Sequence, residues 1–157
     1  MRHGLIELKY FSSTHSGAAK TIYDGPSVWF ADTNRFKVAL SGLKASQNTK
    51  NDKSAPIDAL MMANEKMDTR KDVKTVYVLV SDGYCTLANS YGMLSMSQTV
   101  GILDRSSIYT AAIVPTRYPK SYESLIEREK GFFADISDAK SAISTDLYDW
   151  ILEIVKN

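Results

Sequence analysis

The sequence predicts an α/β fold: a three-layer open sheet, mostly parallel, with one short antiparallel edge strand. Two observations lead there. Residues 76–80 and Ile108–Val114 are short apolar runs rich in β-branched residues and without clean polar alternation. Such runs suit strands buried on both faces. From the first run onward, strand-like and helix-like stretches alternate, which indicates layered units around a parallel sheet. Right-handed crossovers then place helices on both faces, a Rossmann-like layout.

Bulk properties narrow the function classes. A chain of 157 residues is long enough for one domain with a real core. The formal net charge of +1 gives no field toward nucleic acid or a membrane surface. Lys50, Lys53, Lys66, Arg70, Lys71 and Lys74 alternate with Asp52, Glu65, Asp68 and Asp72, which reads as a solvated face. No apolar run has membrane-spanning length, so no membrane segment is expected. Cys85 is the single cysteine, so no intrachain disulfide can form. With no signal-type apolar segment after Met1, a reducing, cytoplasmic compartment is favoured.

The elements follow in order. Residues 4–11 place Ile6, Leu8 and Tyr10 on one face of an extended chain and a mixed set on the other, a strand with one partly wet face. Residues 18–23 extend a short hairpin arm, Asp24-Gly25-Pro26 turns the chain, and residues 27–30 form a short antiparallel strand. Asp32-Thr33-Asn34 caps a helix over 35–43, whose apolar residues are Phe36, Val38, Leu40 and Leu43. Residues 44–53 are polar and irregular. Pro56 suits the first turn of the next helix, and Ser54 lies near its capping position. Ile57, Leu60, Met61 and Ala63 form that helix's apolar stripe. Met61, Met62 and Met67 read as core filling, not metal ligands. Residues 93–103 and 122–129 are expected as helices, and 132–136 as a strand. A last helix after Asp138 carries Leu147, Trp150, Ile151 and Ile154 inward.

The run at 76–80 stops at Ser81-Asp82-Gly83, which sets a carboxylate at the strand's carboxyl end. That edge is where open α/β sheets bind ligands. Asp82, with the Ser54 hydroxyl at a preceding helix start, supplies hard oxygen donors of the kind taken by Mg²⁺, Mn²⁺ or Ca²⁺. Two such donors hold an ion weakly, and further ligands would be needed. Cys85 beside Asp82 lacks a sequence-near histidine, since only His3 and His15 exist. Neither a Gly-x-Gly-x-x-Gly nor a phosphate-loop lysine motif is present.

Four stretches together resemble a von Willebrand factor type A domain over residues 4–155. They are 4–13, the run Asn51-Asp-Lys-Ser-Ala-Pro-Ile-Asp-Ala-Leu-Met-Met-Ala63, the run from Thr75 to Gly83, and 129–139. The resemblance implies that residues 4–13 are that family's second strand. It places Ser54 at the family's metal-loop threonine and Asp82 at its fourth-strand aspartate. The family's Asp-x-Ser-x-Ser signature is not found, because Ser12, Ser13 and Ser16 lack the required preceding aspartate. Residues 1–157 thus read as one von Willebrand factor A-like domain, incomplete on its N-terminal side. The implied function is a non-enzymatic protein-binding or adhesion-type module acting through the carboxyl edge. Its metal, in a degenerate site of the metal-ion-dependent adhesion type, would bind weakly or not at all to the chain alone. Tyr84, Tyr91 and Tyr118 could frame that face. The alternatives are a metal-free structural or assembly subunit and a divalent-metal hydrolase. Expected partners are another protein or a second copy of the chain.

Overall fold

The structure is a computed structural model and describes residues 3–8, 19–27, 29–42, 53–66, 74–128 and 131–156. Its first strand, β1 (His3–Leu8), pairs antiparallel with β2 (Ala19–Ile22) and with β3 (Trp29–Phe30). β2 covers Leu5 to Leu8, whereas β3 meets only His3 and Gly4. Between them Gly25 takes a left-handed φ of 61°, which suits a residue without a Cβ. The expected short antiparallel strand is present as β3, but at the edge of this antiparallel group and not of the parallel sheet.

Helix α1 (Thr33–Ser41) is capped by Asp32, whose carboxylate accepts from the backbone N–H groups of Asn34 and Arg35. Of its apolar residues, Val38 and Leu40 are exposed. Phe36 instead packs edge-on against Phe30. β4 (Lys53–Ser54) leads into α2 (Pro56–Lys66), which buries Ile57, Leu60 and Ala63 as its stripe requires. Met61 packs against the core, in line with the filling role. Met67 and residues 44–52 lie outside the described residues.

The parallel sheet runs β5 (Thr75–Val80), β7 (Ile108–Val114) and β8 (Gly131–Asp135), in the order β5-β7-β8. β6 (Tyr84–Cys85) pairs parallel with β4. Helix α3 (Met96–Arg105) joins β5 to β7 and starts at the Ser95 cap, three residues later than expected. Helix α4 (Pro119–Ile126) joins β7 to β8, with Pro119 in its first turn where the missing N–H costs nothing. The expected helix at 122–129 is thus shifted toward the N-terminus. A 3-10 turn, the short α5 (Ala139–Ser141) and a π turn over Ala142–Asp146 lead into α6 (Leu147–Lys156).

These elements form three layers, as the sequence predicts. On one face Ile57, Leu60, Val100, Leu103, Tyr122 and Leu125 from α2, α3 and α4 meet Leu79, Ala112 and Val114. On the other, Leu147, Trp150 and Ile151 of α6 cover Ala111, Ile113 and Phe132. β7 is buried on both faces as expected. β5 is not: Val78 and Val80 are 45% and 46% exposed. The reason is position. Among the described residues β5 lies at the end of this sheet, and the α6 cluster covers β7 and β8 without reaching it.

A buried cation locks the far end of the sheet. Arg128 pairs with Asp104 at 2.7 Å and also donates to the Thr110 hydroxyl and the Ile108 carbonyl. It joins the end of α3 to the start of β7. A Cβ at Gly131 would come within 2.9 Å of the Arg128 carbonyl, so this crossover needs glycine for close approach.

Candidate functional site

The strands of a parallel sheet all present their carboxyl ends at one edge, and the loops after β5, β7 and β8 meet there. The loop after β5 is pinned first. The Ser81 N–H continues the ladder by donating to the Ile113 carbonyl at 3.1 Å. The Ser81 hydroxyl donates to Ser54 Oγ at 2.8 Å. Ser54 Oγ also lies 3.2 Å from the Tyr122 hydroxyl, which donates to the Gly83 carbonyl at 2.5 Å. All three hydroxyl residues are buried, and together they tie β4, the end of β5 and α4 into one knot. Burial pushes the Tyr122 hydroxyl's pKa up, against the lowering effect of the two serines.

Outside that knot the edge is exposed and aromatic. Asp82 is solvent-facing. Arg117 Nη2 donates to the Asp82 carbonyl at 3.1 Å, and its guanidinium lies 5.0 Å from the Tyr118 ring centre. Tyr118 in turn meets Tyr84 edge-on, with ring centres 5.7 Å apart at 87°. Asp82, Tyr84, Arg117 and Tyr118 thus form a connected patch on two loops.

A third loop closes the edge. Asp135 Oδ2 accepts from the Thr116 N–H at 2.7 Å and from its hydroxyl. Asp135 Oδ1 accepts from the Ser137 N–H at 2.8 Å and its hydroxyl at 2.6 Å. These hydrogen bonds, the Ser137 hydroxyl foremost, hold the carboxyl well below the usual carboxylate range.

The two residues expected at a metal site, Ser54 and Asp82, do come to this edge. Ser54 is one hydrogen bond from Ser81, the neighbour of Asp82. Its side chain belongs to the buried knot. A fit to Mg²⁺, Mn²⁺ or Ca²⁺ is poor on these residues alone. The donors are one exposed carboxylate and a buried hydroxyl bonded to two neighbours, and no group of three or more His, Cys, Asp or Glu able to hold a metal occurs among the described residues. Ser12, Ser13, His15 and Ser16 lie outside the described residues. Tyr91 does not join the patch; its hydroxyl donates to Glu65 on α2 at 2.9 Å. Cys85 is buried, and desolvation pushes its thiol up to about 12, far from a nucleophilic thiolate at neutral pH.

Sequence reasoning missed Arg117, Ser81, Tyr122 and Asp135 as parts of this edge. The signal for Asp135 was available, since an acidic residue ends an otherwise apolar strand. No local pattern marks Tyr122, whose partners are 39 or more positions away. No helix among the described residues is long and apolar enough to cross a membrane. Comparison of the chain with protein families, curated proteins and solved structures found no match.

Proposed function

We propose that this chain is a von Willebrand factor A-like, non-enzymatic protein-binding module that works through the carboxyl edge of its sheet. The observation that carries this reading is the connected patch of exposed Tyr84 and Arg117 with half-buried Tyr118, anchored on the Asp82 carbonyl. Tyrosine and arginine are the residue types that dominate binding energy at protein interfaces. Mutual contact restrains these side chains before binding and so lowers the ordering cost on association. The buried, high-pKa Cys85 supports a binding role over nucleophilic chemistry.

A metal-free assembly subunit is the second reading. The burial of the Ser54 hydroxyl in bonds to Ser81 and Tyr122 favours it, because a metal would have to enter that knot to reach it. One experiment separates the two. The chain and an Arg117→Ala/Tyr118→Ala variant are immobilised and compared for captured proteins, with and without EDTA. Both side chains are outside the core, so the fold should survive, which circular dichroism checks. The expected result is a partner lost from the variant. Loss in EDTA as well supports a metal supplied with outside ligands, whereas indifference to EDTA supports the metal-free reading. Equal capture by both chains contradicts the carboxyl-edge proposal.

A further inference from the structure

We propose that the Asp82–Gly83 peptide bond is a site of spontaneous aspartyl isomerisation, where Arg117 activates the carbonyl and directs the product to isoaspartate. The inference concerns a covalent modification of the loop and goes beyond the binding role proposed above.

The chain contains two Asp-Gly dipeptides, at 24–25 and 82–83. Glycine has no Cβ to shield its nitrogen, so its amide can reach the carboxyl group of the preceding aspartate. The fold treats the two dipeptides differently. Asp24 is locked: Oδ1 pairs with Arg35 at 2.6 Å, Oδ2 accepts from the Ala31 N–H at 2.9 Å, and the side chain is 6% exposed. Asp82 is exposed, and among the described residues no hydrogen bond or ion pair holds its carboxylate. Its carboxyl carbon can therefore turn toward the Gly83 nitrogen. The Gly83 N–H makes a 3.4 Å bond to Ser81 Oγ, long for a hydrogen bond from nitrogen.

Arg117 supplies the activation. Its Nη2 donates to the Asp82 carbonyl at 3.1 Å. A cation on that oxygen draws electron density from the peptide bond and makes the Gly83 N–H more acidic. The chemistry balances with water alone. The Gly83 nitrogen attacks the side-chain carboxyl carbon of Asp82 and gives up its proton, and one carboxyl oxygen leaves as water. Both carbonyls of the cyclic imide that forms come from Asp82. Water then adds to one of them, and the C–N bond there breaks. Opening at the former side-chain carbonyl restores aspartate. Opening at the former main-chain carbonyl, the one that Arg117 polarises, routes the backbone through the side chain and gives isoaspartate. The oxygen that Arg117 held becomes part of a free carboxylate, and a charge-assisted pair with the guanidinium stabilises that product. Its effect on docking rests on the binding reading above: pairing draws Arg117 out of the patch with Tyr84 and Tyr118 and weakens the contact with a partner.

The test is peptide mapping of the full chain during incubation at neutral pH. Trypsin releases residues 21–35 and 75–105, each carrying one of the dipeptides, and electron-transfer fragmentation distinguishes isoaspartate from aspartate. In the folded chain isoaspartate should accumulate about tenfold faster at Asp82 than at Asp24. In urea, where neither Arg35 nor Arg117 is in place, the two rates should agree within about threefold. Arg117→Gln, which keeps donors but removes the charge, should slow the reaction at Asp82 about threefold or more, and Arg117→Lys should slow it less. Circular dichroism checks that both variants fold. Three results overturn the proposal: equal rates at Asp24 and Asp82 in the folded chain, no isoaspartate at Asp82 over a period that converts the chain in urea, or an Arg117→Gln rate equal to or above that of the parent. The modification is read without any partner, so it stands or falls apart from the binding proposal. Capture by aged and fresh chain reads the effect on docking, and equal capture by a chain carrying isoaspartate at position 82 overturns that effect alone.

Discussion

Asp135 shows how one side chain can organise a site it does not dominate. Its two oxygens take four hydrogen bonds, from the N–H and hydroxyl groups of Thr116 and Ser137. It thereby ties the loop after β7, which carries Arg117 and Tyr118, to the end of β8. Those bonds favour the charged form, so the folded-state pKa lies below the ordinary value of 3.8. The sign follows by linkage. A depressed carboxylate pKa contributes stability that is full above the unfolded value and is lost as pH falls through the folded one. Asp135→Asn should therefore flatten the loss of stability below about pH 4, where an unperturbed aspartate begins to protonate. Urea unfolding of both chains at pH 7 and pH 3 checks this, and parallel pH slopes would contradict it. Ser54 teaches the complementary lesson. Its place before Pro56 suggests a cap, but its hydroxyl bonds to Ser81 and Tyr122, far away in sequence. A hydroxyl can satisfy either partner, and nothing local in the sequence decides between them.

Among the elements, β5 and β7 read alike in sequence and differ in the fold. Both are apolar runs, and both form strands in adjacent register. Only β7 has helices on both faces. The difference should appear in mutational cost. Leu79→Ala empties a buried position against the α2, α3 and α4 helices and should cost about 2–4 kcal/mol. Val78→Ala, at an exposed position, should cost less than about 1 kcal/mol. Chemical denaturation measures both, and equal losses would mean that β5 is covered on both faces. Strand identity was legible because β-branched content and run length are local properties. Coverage was not, because it depends on which other elements reach the strand. The same limit applies to α1, where Val38 and Leu40 are exposed although both are apolar. Helix starts were legible to within a few residues where a cap or proline marks them, as at Asp32 and Pro56. For α4 the proline at 119 was the better marker than the amphipathic run that follows it.

At the scale of the whole molecule, the α/β layout gathers three loops at one edge. The carboxyl edge has the exposed aromatic and cationic residues, while the buried serine and tyrosine hydroxyls beneath hold the loops in place. The central claim is that this edge is where a partner protein docks. It is tested most directly by hydrogen-exchange footprinting of the chain bound to the partner recovered by capture. The account predicts slowed exchange concentrated at residues 82–87 and 116–119, with little change along α6. A footprint centred on the exposed side of α6, at Tyr148 and Val155, with residues 82–87 and 116–119 unchanged, would contradict it.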